Sequence, residues 1–418
     1  MLNHVNWRPP FFLFSFILTC CCVNLQAQWL NFNTGNSQLP GNDIKAIAFE
    51  GDSIVWIGTD YGLVKVNSVG WTIYNTSNSG LPDNSIRCIT VDSKGVKWIG
   101  TFLGGFTIYN DTTWISFNSD NSPLPDNHVK DIITDHHATT WLATTGGLVS
   151  IDSLNIWKVY QQFTSPLQSN NIARVYVEPA TDLKIVGTVN GGLSLVSDTS
   201  FNTYTIANSG IADNSLLDID LDTTGNYWMA SPANGLVVKV LGFGWINFTP
   251  FNSGIHSASL SCLEFDTLGR LWIGSLDSGL IMKNSISFGS WNSSNSPIAD
   301  NYIECLKIAP DGKLWIGTQT AGLYIVDPAF LTSVQELDFD NSWSVYPNPA
   351  YEAVTVFLSN IPDKEVEISI NEVSGINVYK DKARSIQNKI PVYNLKPGIY
   401  IIRLKSGSYI SCKKFIKL

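Results

Sequence analysis

Two groups of side chains in this sequence have the residue types of a metal site. Their members are Asp135, His136 and His137, and the alternating Asp218, Asp220 and Asp222. Alternation along a strand places carboxylates on one face, where calcium could bind them. We prefer a structural interpretation of both, because the first group falls in a turn between two strands and Asp222 belongs to a hairpin turn. We therefore expect no metal and no cofactor.

Motifs of hydrolytic and nucleotide-dependent catalysis do not occur in the sequence. It contains no His-Glu-x-x-His, no Gly-x-Ser-x-Gly and no Walker loop. Beyond residue 27 there are four histidines, His128, His136, His137 and His256. Only His128 is expected near the ligand-binding face of the fold, and an enzyme would need a further acid or base beside it. We expect no catalytic residues.

The elements that position these side chains come from a repeat centred on tryptophan, present in seven copies. The first copy is Trp56-Ile57-Gly58-Thr59, followed after two variable residues by Gly62-Leu63. The other copies begin at Trp98, Trp141, Ile185, Trp228, Trp272 and Trp315. Successive copies lie 42 to 44 residues apart, a period typical of propeller blades.

Each period contains four short strands. In the second unit we predict strands at 71–76, 86–91, 96–101 and 105–109, with a tight turn at 92–95 that Gly95 closes. Four strands per period make one blade, and a closed ring of blades has no exposed sheet edge. The sequence therefore predicts an all-β fold, with a seven-bladed β-propeller over 28–330.

The two ends of the repeat region indicate how the ring closes. Residues 29–33 correspond to the outermost strand of a blade, whereas the last repeat ends after 323–326. We expect 29–33 to complete the seventh blade by strand pairing. The repeated tryptophans are expected to pack between adjacent blades, because a blade needs a neighbour on each side. Stacking platforms for carbohydrate are the alternative interpretation.

Ligands of propellers usually bind on the face that carries the connections between blades. Just inside this face, the innermost strands carry charged residues at one equivalent position in only some of the blades, so the charges do not follow the sevenfold symmetry. These residues are Lys45, Arg87, Lys130 and Glu304. The loops of the same face supply Asp60, Tyr61, Asn190, Asp277 and Gln319. These nine residues are the predicted ligand-binding site. The recurrent asparagines before the innermost strands are expected to cap turns, and they are Asn42, Asn84, Asn127, Asn170, Asn214 and Asn301.

Three cysteines share one position of the repeat, ten residues before the anchor residue of the blade. They are Cys88, Cys262 and Cys305, in blades two, six and seven. A disulfide needs Cα atoms about 4.4 to 6.8 Å apart, closer than innermost strands of different blades are expected to come. We expect buried free thiols.

The N-terminus has the pattern of a secretory signal peptide. Arg8 precedes an apolar run from residue 11 to 23, and we place the cleavage site after Ala27. A lipoprotein with an acylated Cys20 is the alternative. No later segment is apolar for about 18 residues, so we expect no transmembrane segment in the mature chain.

Charge is distributed unevenly over the 418 residues, whose net charge is −9. Residues 343–418 contain 11 Lys and Arg against 6 acidic residues, a net charge of +5, and the remaining 15 against 29 give −14. An acidic body argues against a nucleic-acid partner, which requires a basic surface.

The repeat resembles the two-component regulator propeller family. The residues that match are Asp92, Gly95, Trp98-Ile99-Gly100-Thr101 and Gly104 in the second unit, and Asp311, Gly312, Trp315 to Thr318 and Gly322-Leu323 in the last. The second unit departs at Gly105, where the family has leucine. In that family such repeats often form the periplasmic sensor of hybrid histidine kinases, but this sequence contains no kinase.

The segment 343–418, which follows a linker at 331–342, resembles the type A C-terminal sorting domain of the type IX secretion system of Bacteroidota. The motifs that match are Tyr346-Pro347-Asn348-Pro349, Gly375 after Val373, Leu395-Lys396-Pro397-Gly398-Ile399-Tyr400, and the terminal Lys413-Lys414-Phe415-Ile416-Lys417-Leu418. Alternating strands predict a small immunoglobulin-like β-sandwich. The resemblance assigns Tyr346, Pro347, Asn348, Pro349, Gly398, Tyr400 and Lys414 to the sorting signal. An ordinary adhesive module is the alternative.

Together these observations predict a secreted or outer-membrane surface protein that passes through the periplasm. The resemblance implies the type IX secretion machinery and its sortase as partners. The propeller itself is expected to bind a glycan, peptide or protein through its channel mouth, without catalysis. An extracellular lyase or hydrolase is the first alternative, because virginiamycin B lyase-like enzymes have similar propellers, and a purely structural surface protein is the second.

Overall fold

The computed structural model describes residues 29–197, 200–284, 288–333, 343–358, 366–372, 377–383, 385–406 and 409–418. The expected signal peptide at 1–27 lies outside these ranges. The described residues form 35 strands and one short helix. The first 28 strands make seven antiparallel four-stranded sheets, which are the blades of a seven-bladed propeller and confirm the predicted fold.

The strands are numbered in chain order. Strand β1 (Leu30–Phe32) precedes blade 1, which contains β2 (Ile44–Glu50), β3 (Ile54–Thr59), β4 (Gly62–Asn67) and β5 (Gly70–Tyr74). Blade 2 contains β6 (Ile86–Val91), β7 (Lys97–Thr101), β8 (Phe106–Tyr109) and β9 (Trp114–Phe117). Blade 3 contains β10 (Val129–Thr134), β11 (Thr140–Thr144), β12 (Gly147–Ile151) and β13 (Trp157–Tyr160).

The other four blades follow the same plan. Blade 4 contains β14 (Ile172–Val177), β15 (Lys184–Thr188), β16 (Leu193–Val196) and β17 (Phe201–Tyr204). Blade 5 contains β18 (Asp218–Leu221), β19 (Tyr227–Ser231), β20 (Gly235–Val240) and β21 (Gly244–Phe248). Blade 6 contains β22 (Leu260–Phe265), β23 (Leu271–Ser275), β24 (Leu280–Lys283) and β25 (Phe288–Trp291). Blade 7 contains β26 (Ile303–Ile308), β27 (Leu314–Thr318) and β28 (Leu323–Val326).

Blade 7 takes its fourth strand from the other end of the repeat region. Strand β1 pairs antiparallel with β28, with Leu30 opposite Ile325 and Phe32 opposite Leu323. The sheet therefore has the order β1-β28-β27-β26. This pairing confirms the predicted closure, and it covers a sheet edge that would otherwise be open.

Each residue of the tryptophan repeat has a structural role, as blade 1 illustrates. Trp56 is fully buried, and its ring meets Tyr109 of blade 2 edge to face at 6.1 Å. A Cβ on Gly58 would lie 2.7 Å from Ile86 of blade 2, so glycine permits the blades to approach. Thr59 donates a hydrogen bond to the carbonyl of Gly62 at 2.9 Å and closes the next turn. The repeat therefore stabilises the ring, as expected.

Blade 2 corrects one detail of the expected repeat. The glycine with positive φ in this turn is Gly105, at 81°, and its N–H donates to the carbonyl of Asn127. Gly322 has the same conformation and the same bond, to Asn42. The prediction that blade 2 departs from the family pattern at Gly105 is therefore wrong. Gly105 is equivalent to the turn glycine Gly322, and Phe106 occupies the position that leucine has in the family.

The recurrent asparagines bind the connections between blades. The side-chain oxygen of Asn84 accepts a hydrogen bond from the backbone N–H of Thr76, eight residues earlier, at 2.8 Å. The same bond joins Asn42 to Thr34, Asn127 to Ser119, Asn170 to Gln162, Asn214 to Ile206 and Asn301 to Ser293. These bonds satisfy backbone donors of the loop, so the structural interpretation of the asparagines is confirmed.

The connection before blade 6 lacks both partners of this bond. Ala258 stands where the other blades have asparagine, and Pro250 stands where they donate the N–H. Proline has no N–H, so an asparagine at 258 would have no donor to bind. The absence of the asparagine in this blade therefore has a physical reason within the same loop.

The C-terminal segment is a two-layered β-sandwich. One layer contains β29 (Trp343–Tyr346), β30 (Ala353–Leu358) and β33 (Gln387–Pro391), and the other β31 (Glu367–Glu372), β32 (Asn377–Lys382), β34 (Gly398–Ser406) and β35 (Tyr409–Lys417). The buried side chains of both layers form one core, to which Val354 and Val356 contribute from the first layer and Ile370 and Ile402 from the second. The predicted sandwich is therefore correct, although the sequence analysis did not assign β29, β33 and β35.

A short helix, α1 (Pro328–Ser333), follows blade 7. Leu331, which the sequence analysis placed at the start of the linker, is buried in the core between blades 6 and 7. The remaining linker positions, 334–342, lie outside the described residues. In the described part of the chain, no helix has the length and apolar character to cross a membrane.

Candidate functional site at the channel mouth

The innermost strands of six blades share a β-bulge at their first residues. The register shifts between residues 44 and 46, 86 and 88, 129 and 131, 172 and 174, 260 and 262, and 303 and 305. The extra residues are Lys45, Arg87, Lys130, Ala173, Ser261 and Glu304. A bulge adds one residue to a strand and redirects side chains, so two consecutive positions of each strand line the channel.

The central channel is a cavity of about 560 Å³ lined by the innermost strands of all seven blades. Lys45, Arg87, Lys130 and Glu304 all lie on its wall, so the structure brings these four predicted residues together. The other five predicted residues lie on the loops outside this cavity. A cavity of this size lies within the range of small-ligand sites.

One side of the mouth is acidic and joins blade 1 to blade 7. Lys45 Nζ lies 2.9 Å from Asp43 Oδ1 and 2.6 Å from Glu304 Oε1. Burial and a hydrogen bond with Asp60 together raise the pKa of Asp43 to about 7, against the opposing effect of Lys45. Burial acts to lower the pKa of Lys45, but Glu304 and Asp43 raise it above its usual value, so Lys45 is a cation held by two acidic residues.

The other side of the mouth is cationic. The guanidinium of Arg87 lies over the ring of Phe102, 4.6 Å from its centroid, and 3.5 Å from Asp60. Phe102 also meets the ring of His128 edge to face at 4.6 Å. Lys130 Nζ donates to the amide oxygen of Asn171 at 2.6 Å. Burial and the charges of Lys130 and Arg87 together lower the pKa of His128 to about 4.

A second layer of charge lies deeper in the channel. Arg174 contacts Asp131 at 3.2 Å and Asp218 at 2.8 Å. The free carboxylate oxygens bind the next blade, where Asp131 accepts from the N–H of Val175 and Asp218 from that of Leu263. Innermost strands are sheet edges, and these bonds satisfy their backbone donors.

The alternating aspartates considered as a calcium site have structural partners. Asp220 accepts from the N–H of Phe265 at 2.8 Å, as Asp218 does from Leu263. Asp222 accepts hydrogen bonds from its own hairpin turn and from the indole N–H of Trp228 at 2.9 Å. These contacts agree with the structural interpretation.

The loop residues of the predicted site mostly contact the connections between blades. Asp60 accepts from the hydroxyl of Ser85 at 2.6 Å, Asp277 from that of Ser257 at 2.6 Å and Asn190 from that of Ser215 at 3.1 Å. Tyr61 is 64% exposed on the rim, and Gln319 donates its backbone N–H to Tyr302. Of these five, only Asp60 approaches a charged side chain of the channel, that of Arg87.

Sequence reasoning missed most of the layer of residues directly before the bulge, of which it singled out only His128. This layer contains Asp43, Ser85, His128, Asn171, Ser215, Ser259 and Tyr302, and its members bind the charged residues and loops of the mouth. The signal was available, because this position also varies among otherwise similar repeats. The recurrent asparagine at the preceding position is the more conspicuous feature of the sequence.

The three thiols of the channel are free, as expected. Cys88 and Cys262 are buried and Cys305 is partly buried. Burial raises the pKa of all three. The Cys305 thiol donates to the carbonyl of Ile44 in blade 1 at 3.4 Å. The side chain of Cys412 lies outside the described residues.

The turn at Asp135 and His137 forms an ion-pair network with blade 4. Asp135, His137 and Asp182 bring their ligand atoms within 4.8 Å of one another. Lys184 Nζ, however, lies 2.9 Å from both Asp135 and Asp182 and supplies the positive charge that a metal would bring. Asp182 is 45 residues from His137, so sequence proximity could not reveal this contact.

Comparison with protein families identifies both parts of the chain. Residues 80–102 and 297–320 match the two component regulator propeller family, and residues 344–418 match the secretion system C-terminal sorting domain. The chain therefore contains segments that match regulator propeller repeats and ends in a segment that matches the sorting domain. The sorting domain places this exported propeller outside the cell or at its surface and implies contact with the type IX machinery.

Solved structures support the fold of the exported propeller. It resembles the extracellular domain of a hybrid two component system from B. thetaiotaomicron, at 17% identity and a TM-score of 0.66 over 94% of this chain and 57% of that one. It also resembles PorZ, a surface component of the type-IX secretion system of Porphyromonas gingivalis, at 16% identity and a TM-score of 0.57 over 93% and 61%. The chain thus spans about three fifths of these proteins.

Virginiamycin B lyase from Staphylococcus aureus has a similar propeller, at 12% identity and a TM-score of 0.58 over 72% of this chain and 99% of the lyase. At such identities the likeness concerns the fold alone. No curated protein sequence matches the exported propeller.

Proposed function

We propose that this exported propeller is a binding protein that recognises a glycan, peptide or protein through its channel mouth and performs no catalysis. The observation that carries the proposal is the contrast between scaffold and mouth. Most blades repeat the same tryptophan, glycine and asparagine contacts, whereas the bulge position presents Lys45 beside Glu304 and then, on the next two blades, Arg87 and Lys130. The pair of Lys45 and Glu304 joins blades 1 and 7, but ring closure does not account for the charge of Lys130, whose partner is a neutral amide.

The polarity of the mouth also favours binding. Charged and amide groups converge on a cavity that is open to solvent, while the aromatic side chains of Phe102 and Tyr61 remain 37% and 64% exposed beside it. Ligand sites of this kind combine a concave surface with a few polar groups that fix orientation.

A glycan array and a pull-down with the secreted chain, residues 28–418, test the proposal. We expect saturable binding of one ligand class, reduced by substitutions at Arg87 and Lys130. The control is Lys313→Met, which removes the same charge from the exposed turn between β26 and β27, at the end of these strands opposite the mouth. If no substitution at the mouth affected binding, the ligand would bind at another part of the protein.

The alternative is a lyase or hydrolase that uses the same channel. His128 is its candidate base, since its imidazole is neutral at physiological pH and lies at the mouth. Among the described residues, no carboxylate lies within 4 Å of this imidazole, and the ring packs against Phe102 instead. Turnover of an array ligand that is abolished by His128→Ala would establish the alternative.

For the tail, we propose that exposed residues of the sorting signal contact the secretion machinery and its sortase. Tyr346 is 68% exposed and Lys414 is also exposed. Asn348 has a structural role instead, because it accepts from the N–H of Ile416 at 2.9 Å and donates to the carbonyl of Lys414. Tyr400 likewise stacks on Phe415 and donates to the carbonyl of Lys396 at 2.9 Å.

A further inference from the structure

The cations of the channel differ in how their charge is compensated. Lys45 contacts two carboxylates, those of Asp43 and Glu304, and Arg174 also contacts two, those of Asp131 and Asp218. Lys130 occupies the same bulge position as Lys45, two blades away. In the described structure no carboxylate lies within ion-pair distance of Lys130, and its partner is the neutral amide of Asn171.

Arg87 is the neighbour of Lys130 along the ring, and its charge is only partly compensated. Its single carboxylate contact, with Asp60, is long at 3.5 Å, and that carboxylate also accepts from Ser85 at 2.6 Å. The Nε atom of Arg87 is buried without a hydrogen-bond acceptor among the described residues. An unsatisfied buried donor is costly. The protein itself does not fully satisfy this guanidinium, and an anion near its other nitrogen atoms would add compensation that is missing.

The two cations influence one another and the imidazole between them. Burial lowers the pKa of Lys130, and the charge of Arg87 lowers it further. The charge of Asp126 acts to raise the pKa of both Lys130 and His128, but both pKa values remain lowered. This sector of the mouth therefore holds positive charge that the protein itself does not balance.

We propose that Arg87 and Lys130 bind an oxyanion, a carboxylate, sulfate or phosphate group carried by the ligand that enters the channel mouth. The guanidinium lies over the ring of Phe102, 4.6 Å from its centroid, and both Arg87 and Lys130 line the channel wall. A planar guanidinium and an ammonium group together match the oxygens of such an anion. This inference rests on the proposed function and names the ligand chemistry of the same site.

Three simple anions serve as probes of the secreted chain, residues 28–418. Glucuronate, inorganic sulfate and inorganic phosphate are titrated at constant ionic strength, and glucose is the neutral control. Calorimetry measures affinity, and NMR follows the arginine Nε–H signals, among which that of Arg87 is identified by its loss in Arg87→Lys. We expect saturable binding with a Kd of the order of 1 mM and a downfield shift of the Arg87 signal.

Variants then locate the anion. Lys130→Met is expected to weaken binding by about tenfold or more, and Lys130→Gln, which keeps a donor to Asn171, is the second variant if the first does not fold. Lys313→Met is the matched control and is expected to bind like the parent chain. Preference among the three probes distinguishes a sugar carboxylate from a sulfate or phosphate group, and each of these supports the proposal.

Three results would overturn the inference. They are the absence of saturation up to about 50 mM anion, equal loss of binding in Lys130→Met and Lys313→Met, and equal binding of glucose and glucuronate. The proposed function is judged separately by the array. If an array ligand binds the mouth and Lys130→Met does not change its affinity, the inference fails while the binding function stands.

Discussion

Lys45 and Glu304 join the first blade of the propeller to the seventh, with Nζ and Oε1 2.6 Å apart. The same seam contains the hydrogen bond from Cys305 to the carbonyl of Ile44 and the pairing of β1 with β28. The ring is therefore closed at its inner wall by charge and at its outer edge by backbone hydrogen bonds. Since these contacts connect residues about 260 to 295 positions apart, their formation requires the whole ring.

Removal of the Lys45 charge should destabilise the seam. Lys45→Met leaves Asp43 and Glu304, whose side chains are 19% and 15% exposed, without their cation. We expect a loss of about 1 to 3 kcal/mol in the free energy of unfolding, less than for a fully buried pair because some water remains. Urea denaturation measures this loss. A change within about 0.5 kcal/mol, as expected for Lys313→Met, would show that the seam does not depend on the pair.

Asp220 should make the propeller less stable as the pH rises from about 4 to 7. Burial and the charge of Glu264 together raise the pKa of its carboxyl to about 7, so between about pH 4 and 7 the folded state binds a proton that the unfolded state releases. Stability from this group is present at low pH and is lost as the pH rises through 7, by up to about 4 kcal/mol. Asp220→Asn, which can still accept from Phe265, should flatten the slope measured by denaturation at several pH values.

Asp311 provides the comparison of opposite sign. Partial burial acts to raise the pKa of Asp311, but the hydrogen bonds and the charge of Lys313 together outweigh this effect, and the pKa lies below its usual value. Its contribution is lost as the pH falls through the lowered pKa, so Asp311→Asn should leave the slope between pH 4 and 7 as it is. If Asp220→Asn and Asp311→Asn changed that slope equally, the assignment to Asp220 would be wrong.

The loop before blade 6 permits a double-mutant test of the asparagine bonds. Ala258→Asn alone should not stabilise the chain, because Pro250 has no N–H to donate. Pro250→Ser together with Ala258→Asn rebuilds the bond that Thr76 and Asn84 form in the corresponding loop before blade 2. We expect a coupling of about 0.5 to 1.5 kcal/mol between the two substitutions. Strict additivity in thermal denaturation would argue against the bond.

Export should depend on the C-terminal sandwich. Deletion of 343–418 is expected to leave the propeller in the periplasm, whereas Lys414→Ala should reduce export without unfolding the sandwich, since Lys414 is exposed. Cell fractionation measures both effects. Phe415→Ala, which empties a fully buried position, is the comparison in which folding itself fails. Normal secretion of the truncated chain would refute the sorting assignment.

The fold could be predicted because it depends on contacts that recur. The hydroxyl residue of the repeat, for example, donates to the carbonyl of the turn glycine in six of the seven blades, so the period alone identified the blade and the closing strand. The tail was predictable from its alternating strands, although β29, β33 and β35 were missed. Strand β35 carries Lys413, Lys414 and Lys417, which mask the alternation of its buried Phe415.

The site was predictable only in part, because its geometry comes from the β-bulge. The bulged residues are as different as Lys45, Ala173 and Glu304, so no residue type marks the bulge. Without it, consecutive residues would face opposite sides of the strand. The partners that distinguish the cations, Asp43 for Lys45 and Asn171 for Lys130, could be recognised only when the blades were placed side by side.

The central claim is that the ligand binds at the channel mouth. Ala173 lies on the channel wall at the bulge position of blade 4, and it is only partly buried, so Ala173→Trp should fill the mouth without unfolding the ring. The measurement is binding of the array ligand to this variant and to Ala329→Trp, which places the same bulk on the exposed side of α1. If the ligand binds at the channel mouth, Ala173→Trp should abolish binding, whereas Ala329→Trp should bind normally. Undiminished binding to a folded Ala173→Trp variant would contradict it.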